Sequence, residues 1–149
     1  MRKKGQIIMK KDTADLLEEL KSCNEFTCFY RENEEELLKK EALSLYLGRL
    51  VEKHGIKKSE AIRRSELSEV YAYQIFSGIR VPERKKLLSL AIGMALPLDE
   101  IQSLLKCTGY APLYAKDPFD CIIIFGICKK LSVADINFIL FDYEMETLG

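Results

Sequence analysis

Residues 57–78 read Lys57-Lys58-Ser59-Glu60-Ala61-Ile62-Arg63-Arg64-Ser65-Glu66-Leu67-Ser68-Glu69-Val70-Tyr71-Ala72-Tyr73-Gln74-Ile75-Phe76-Ser77-Gly78. The spacing predicts two short helices joined by a tight turn and stopped by a glycine. Ala61 and Ile62 give the first helix an inward face, and Leu67 falls in the turn. Ala72, Ile75 and Phe76 recur at the three-to-four-residue spacing of one helical face. Ser68 is placed to cap the second helix by accepting from a free backbone N–H. Gly78 suits the left-handed position that ends a helix.

The surroundings of this unit are basic. Lys57, Lys58, Arg63, Arg64, Arg80, Arg84, Lys85 and Lys86 flank it on both sides. Two packed helices with polar side chains protruding from the second, ringed by cations, suit a DNA major groove. On that reading Tyr71, Tyr73 and Gln74 face away from Ala72, Ile75 and Phe76. Gln74 would bond an adenine edge, and a tyrosine would touch phosphate or a thymine methyl. Lys57, Lys58, Arg64, Arg80, Arg84 and Lys85 would hold the backbone, where charge neutralisation supplies most of the affinity.

Bulk properties bound this reading. The 149 residues suffice for one substantial core with an appendage. The chain carries 23 basic and 23 acidic side chains and no net charge, unlike a protein that coats nucleic acid indiscriminately. Residues 41–109 hold eleven basic and eight acidic side chains, whereas residues 110–149 hold three and six. The positive excess therefore falls on the helical pair, and the tail is acidic.

Other chemistry finds little support. Cys23, Cys28, Cys107, Cys121 and Cys128 form no Cys-x-x-Cys pair, and an odd count suits reduced, buried thiols in a cytoplasm. With a single histidine, a Cys/His zinc site would need distant cysteines to converge, so neither metal nor cofactor is expected. His54 precedes Gly55 at a helix end, where an imidazolium gains from the dipole. No Ser-His-Asp order, phosphate-cradling glycine loop or arguable carboxylate pair points to an enzyme. No apolar run approaches membrane-spanning length, and the charged start Met1-Arg2-Lys3-Lys4 lacks a signal-peptide core. A cytoplasmic protein with no membrane partner is expected.

Periodicity along the rest of the chain predicts an all-α protein. Residues 1–11 read as frayed. Asp12 or Thr13 caps a helix to about Cys23, with Leu16, Leu17 and Leu20 inward. A short segment, Glu25 to Tyr30, offers Phe26, Phe29 and Tyr30, and Asn33-Glu34-Glu35-Glu36 reads as a helix start. A stronger helix runs from about Glu41 to His54 through Leu43, Leu47, Leu50 and Val51, and Gly55 closes it. Beyond the central pair, a helix from Glu83 to Met94 packs Leu87, Leu88, Ala91 and Ile92. Pro97 opens the next as its first residue, burying Ile101, Leu104 and Leu105. After the loop Gly109–Tyr114, Pro118 begins a very apolar helix through Ile122, Ile123, Ile124, Phe125 and Ile127. Ser132 caps a last one holding Val133, Ile136, Ile139 and Leu140.

Five helices between 41 and 109, the second and third forming the tight pair, resemble the lambda-repressor-like, or Xre-type, helix-turn-helix domain. The segments Tyr73-Gln74-Ile75-Phe76-Ser77-Gly78, Lys86-Leu87-Leu88-Ser89-Leu90-Ala91 and Gly109-Tyr110-Ala111-Pro112-Leu113-Tyr114 look like a group of small bacterial regulators of this type. The resemblance implies a helical extension over 1–40 and a two-helix extension over 110–149, packed on the domain or forming a dimer surface. It also implies that the third domain helix reads double-stranded DNA, through Ser68, Glu69, Val70, Tyr71, Tyr73 and Gln74. Several positions depart from the pattern: Glu66 stands where the turn usually has glycine, Phe76 where glutamate is usual, and Glu69 and Val70 where Arg, Ser, Thr or Gln is usual. The reading is thus a DNA-binding transcriptional regulator, a homodimer if the terminal helices pair. The alternative is a protein-interaction module that keeps the fold without reading DNA.

Overall fold

The computed structural model describes residues 11–34 and 42–149, and among these every regular element is an α-helix. The chain forms two compact units, 1–39 and 40–149. Among the described residues no helix is long and apolar enough to cross a membrane.

In the first unit α1 spans Thr13–Ser22 and α2 spans Phe26–Asn33. Asp12 caps α1, its carboxylate accepting from the Asp15 N–H at 2.8 Å, while Asp15 reaches back to the Asp12 N–H. Asn33 is wholly buried at the end of α2. Its amide donates to the Phe29 carbonyl at 3.0 Å and to Glu19 at 2.7 Å, and its oxygen accepts from Lys11 at 2.6 Å. Lys11, and then Asn33, hold the Glu19 carboxyl below its usual range.

This unit departs from the sequence reading. Asn33 ends a helix where a start was expected, because its side chain is consumed by the α1–α2 contact. Glu35, Glu36 and Glu41, like residues 1–10, lie outside the described residues. Leu17 and Leu20 are exposed, as are Phe26 and Tyr30, and Phe29 is buried. Two short helices share only one seam, which cannot cover every apolar side chain they carry.

In the second unit α3 spans Leu43–His54, α4 Lys58–Ser65, α5 Glu69–Ser77, α6 Arg84–Gly93 and α7 Leu98–Thr108. α8 spans Pro118–Cys128 and α9 spans Val133–Asp142. Gly55, Gly78 and Gly109 close α3, α5 and α7 in left-handed conformations. Pro97 stands at the cap of α7, one place ahead of the first helical position expected for it. Leu47, Ile75, Leu87, Leu88, Ile101, Leu104, Leu105, Ile123, Ile136 and Leu140 form a single core with virtually no exposure. α6 is its hub, packing on α4, α7 and α9, while α3 packs on α5 and α8 on α9.

Two small residues set the closest approaches. A Cβ on Gly93 would lie 2.5 Å from the Ala61 carbonyl oxygen and 2.7 Å from the Ser65 nitrogen, so α4 and α6 touch backbone to backbone. A Cβ on Gly126 would lie 2.4 Å from Cγ1 of Ile136, which fixes α8 against α9.

Charged side chains tie the outer helices. Glu100 on α7 accepts from Lys53 at 2.8 Å and lies 2.6 Å from Nε2 of His54, both on α3. These neighbours, Lys53 foremost, hold its carboxyl below the usual range. His54 therefore joins two helices, a contact that its position at a helix end did not reveal. After α9, residues 143–149 turn back, Leu148 is buried, and its N–H donates to Asn137 at 2.8 Å.

None of the five cysteines is fully buried: Cys28, Cys121 and Cys128 are exposed, and Cys23 and Cys107 are half-buried. The expectation of buried thiols fails on α8, where Cys121 and Cys128 share a face as their spacing requires, but that face points outward.

Between α4 and α5, Glu66 holds φ 59° and ψ 15°, a left-handed conformation, and its N–H bonds the Arg63 carbonyl. A side chain there costs roughly 1–2 kcal/mol, part of which glycine would return to its looser unfolded state. Glu66→Gly is therefore expected to stabilise the second unit by about 0.5–1 kcal/mol in urea denaturation. An unchanged or lower midpoint would show that the turn carries no such strain.

Candidate nucleic-acid interface

The turn Glu66-Leu67-Ser68 fixes how α5 sits. Leu67 is half-buried beneath it, and the Ser68 hydroxyl accepts from the Tyr71 N–H at 3.2 Å, capping α5. Ala72, Ile75 and Phe76 are buried, which anchors one side of the helix. Glu69, Val70, Tyr73 and Ser77 are exposed on the other, with Val70 at 71% the most open of the apolar residues there.

Tyr71 sits differently from expectation. It is half-buried at the edge of the core, with the Arg80 guanidinium 5.3 Å and the Lys86 ammonium 5.4 Å from its ring centre. Burial raises its phenol above the usual range, and Arg80 pulls the other way. Gln74 is half-exposed, its side-chain oxygen accepting from Nε of Arg80 at 3.0 Å. The same Gln74 carries the Ile79 and Arg80 N–H groups on its backbone carbonyl. Its amide is thus held in one orientation by Arg80.

The expected cations divide into two sets. Lys57 is exposed at the cap of α4, and Lys58 lies 5.4 Å above the Phe76 ring. Arg64 pairs with Glu60 at 2.7 Å but stays more than half exposed. With Arg80, these flank α4 and α5. On α6, Arg84 and Lys85 turn elsewhere. Arg84 grips Asp120 through two bonds of 2.9 Å and donates to the Ala111 carbonyl at 3.0 Å. Lys85 pairs with Glu146, which lowers that carboxyl below its usual range, and lies 5.8 Å above the Phe119 ring. Arg84 and Lys85 thus pair with the 109–120 segment and the tail.

Asp120 was not singled out by sequence reasoning. It is 5% exposed and also accepts from the Tyr114 N–H at 3.0 Å. Its partner lies 36 residues away, so no local pattern announces it. A cleft of about 390 Å³ beside the turn is lined by Glu66, Ser68, Tyr71, Lys86 and Asn137 among others. Comparison of the chain with protein-family models, curated proteins and solved structures finds no match.

Proposed function

We propose that this chain is a DNA-binding regulator, with α3–α7 serving as a lambda-repressor-like, Xre-type helix-turn-helix domain and α5 entering the major groove. The observation that carries the reading is the presentation of α5. One side is locked by Ala72, Ile75 and Phe76, a serine caps its start, and the open side offers Tyr73 and Gln74 between Lys57, Lys58, Arg64 and Arg80. A rigid helix with polar, protruding groups and flanking cations meets the geometric demands of groove reading. Arg84 is left out of the phosphate grip, because Asp120 neutralises it.

Selection from randomised duplex DNA tests the proposal. The wild-type chain is expected to enrich a defined sequence, and Gln74→Ala to relax preference at one base pair by about 1–3 kcal/mol. Replacing Lys57, Arg64 and Arg80 together by alanine is expected to flatten the salt dependence by about 0.9 in log–log slope for each phosphate no longer neutralised. No enrichment at low salt would sink the DNA reading.

A second reading has its own support. Val70, Ile79 and Val81 are all more than 60% exposed around α5, and Glu66 and Glu69 lie at its start. Exposed apolar side chains beside acids suit a protein partner better than a phosphate backbone. A chain that enriches no DNA would be assigned to this interaction role.

A further inference from the structure

Arg80 lies just beyond the end of α5 and is folded back against it. Its backbone N–H donates to the Gln74 carbonyl at 3.2 Å, and its guanidinium carbon lies 5.3 Å from the centre of the Tyr71 ring. Its Nε donates to the Gln74 side-chain oxygen at 3.0 Å. A guanidinium has N–H donors and no acceptor, so the amide must turn its oxygen, and not its nitrogen, towards Arg80. Among the described residues the amide nitrogen of Gln74 has no partner.

This orientation limits what Gln74 can offer a base. Its nitrogen presents two N–H donors. One lone pair of its oxygen is occupied, and the other stays beside a full positive charge, which opposes the approach of a second donor. In the major groove guanine shows two acceptors, N7 and O6, whereas adenine sets its N7 beside a donating amino group. Thymine shows a single acceptor, and cytosine shows a donor. Only guanine matches both donors without bringing an N–H towards Arg80.

We infer that Gln74 reads guanine, not adenine, and that Arg80 sets this choice by occupying the amide oxygen. The inference rests on the proposal that α5 enters the major groove. The adenine contact expected from the sequence needs that oxygen as its acceptor, and the helical spacing that exposes Gln74 takes no account of a guanidinium six residues on. Arg80 is here a positioning residue, and its two terminal nitrogens remain for the phosphate backbone. Fixing the amide before DNA arrives also reduces the ordering cost of binding.

Selection from randomised duplex DNA at low salt, with wild type, Gln74→Ala and Arg80→Ala, tests the assignment. Gln74→Ala locates the base pair, as the one whose preference disappears. Wild type is expected to favour guanine over adenine there by about tenfold, within the range of one good base contact. Arg80→Ala frees the oxygen and is expected to exchange that preference for adenine at the same pair. A role of Arg80 in folding or phosphate binding alone would weaken every sequence alike and could not exchange one base for another. A second measurement needs no DNA: NMR relaxation of the Gln74 side-chain amide in the free chain. Its order parameter is expected above about 0.6 in wild type and below that in Arg80→Ala, the boundary of a flexible group. Adenine favoured by wild type at that pair, guanine retained in Arg80→Ala, or an amide equally mobile in both chains would overturn the inference while leaving DNA recognition standing. A wild type that enriches no sequence would instead overturn the DNA reading, and this inference with it.

Discussion

Gly93→Ala is expected to lower the stability of the second unit by about 3 kcal/mol, although alanine is the better helix former by about 1 kcal/mol. The added methyl would meet the Ala61 carbonyl and the Ser65 backbone, not the end of a flexible side chain. Backbone cannot swing aside, so α4 and α6 must separate. The apolar packing between them then loosens throughout, including that of Ala61 and Ile62 beneath the turn. The expected fall in Tm is roughly 10 °C or more, read by calorimetry. Ser65 is the last residue of α4, so the same shift would move the turn and α5 with it. A melting temperature within a degree or two of wild type would show that the two helices lie farther apart than described.

Arg84→Ala is expected to cost about 3 kcal/mol, the low end of the range for removing one partner of a buried pair, because Arg84 is itself 25% exposed. Asp120 would remain buried, left with the Tyr114 N–H and its own helix for company. Two controls separate this from a role on DNA. Replacing Arg84 and Asp120 together by apolar residues of similar size should recover most of the loss, because no buried charge is then stranded. A residue that grips phosphate would instead weaken DNA binding while leaving Tm unmoved. Unaltered stability in Arg84→Ala would return this side chain to the phosphate-binding set.

Local signals were legible in the sequence, and pairings across long separations were not. The caps at Asp12, Ser68 and Ser132, and the stops at Gly55 and Gly78, stand where their side chains or their lack of one require. The inward set Ala72, Ile75 and Phe76 follows from period alone. Tyr71 marks the boundary of that method. It lies about 90–100° from the centre of the buried face, at roughly 100° per residue. There the neighbours decide, and α6 supplies Lys86 to cover the ring. Arg84 reads as one more surface cation until Asp120 is brought beside it by the fold. The apolar run of α8 gave no direction for its open side, so Cys121 read as buried when it faces water.

The tail's fold-back bears on how the chain reaches its native state during synthesis. Lys85 and Glu146 are 61 residues apart, and Leu148 fills its site in the shared core only after α9 is in place. Loop closure over that length adds little cost, because the penalty grows only with the logarithm of length. Time is the larger constraint. At about 5–20 residues per second, a ribosome takes roughly 3–12 s to extend the chain from α6 to the tail. Throughout that interval the parts of α6 and α7 that will carry α8 and α9 lie open to water and to other chains. The unit is most prone to aggregate then, and a chaperone that shields α6 until Leu148 emerges would raise its yield.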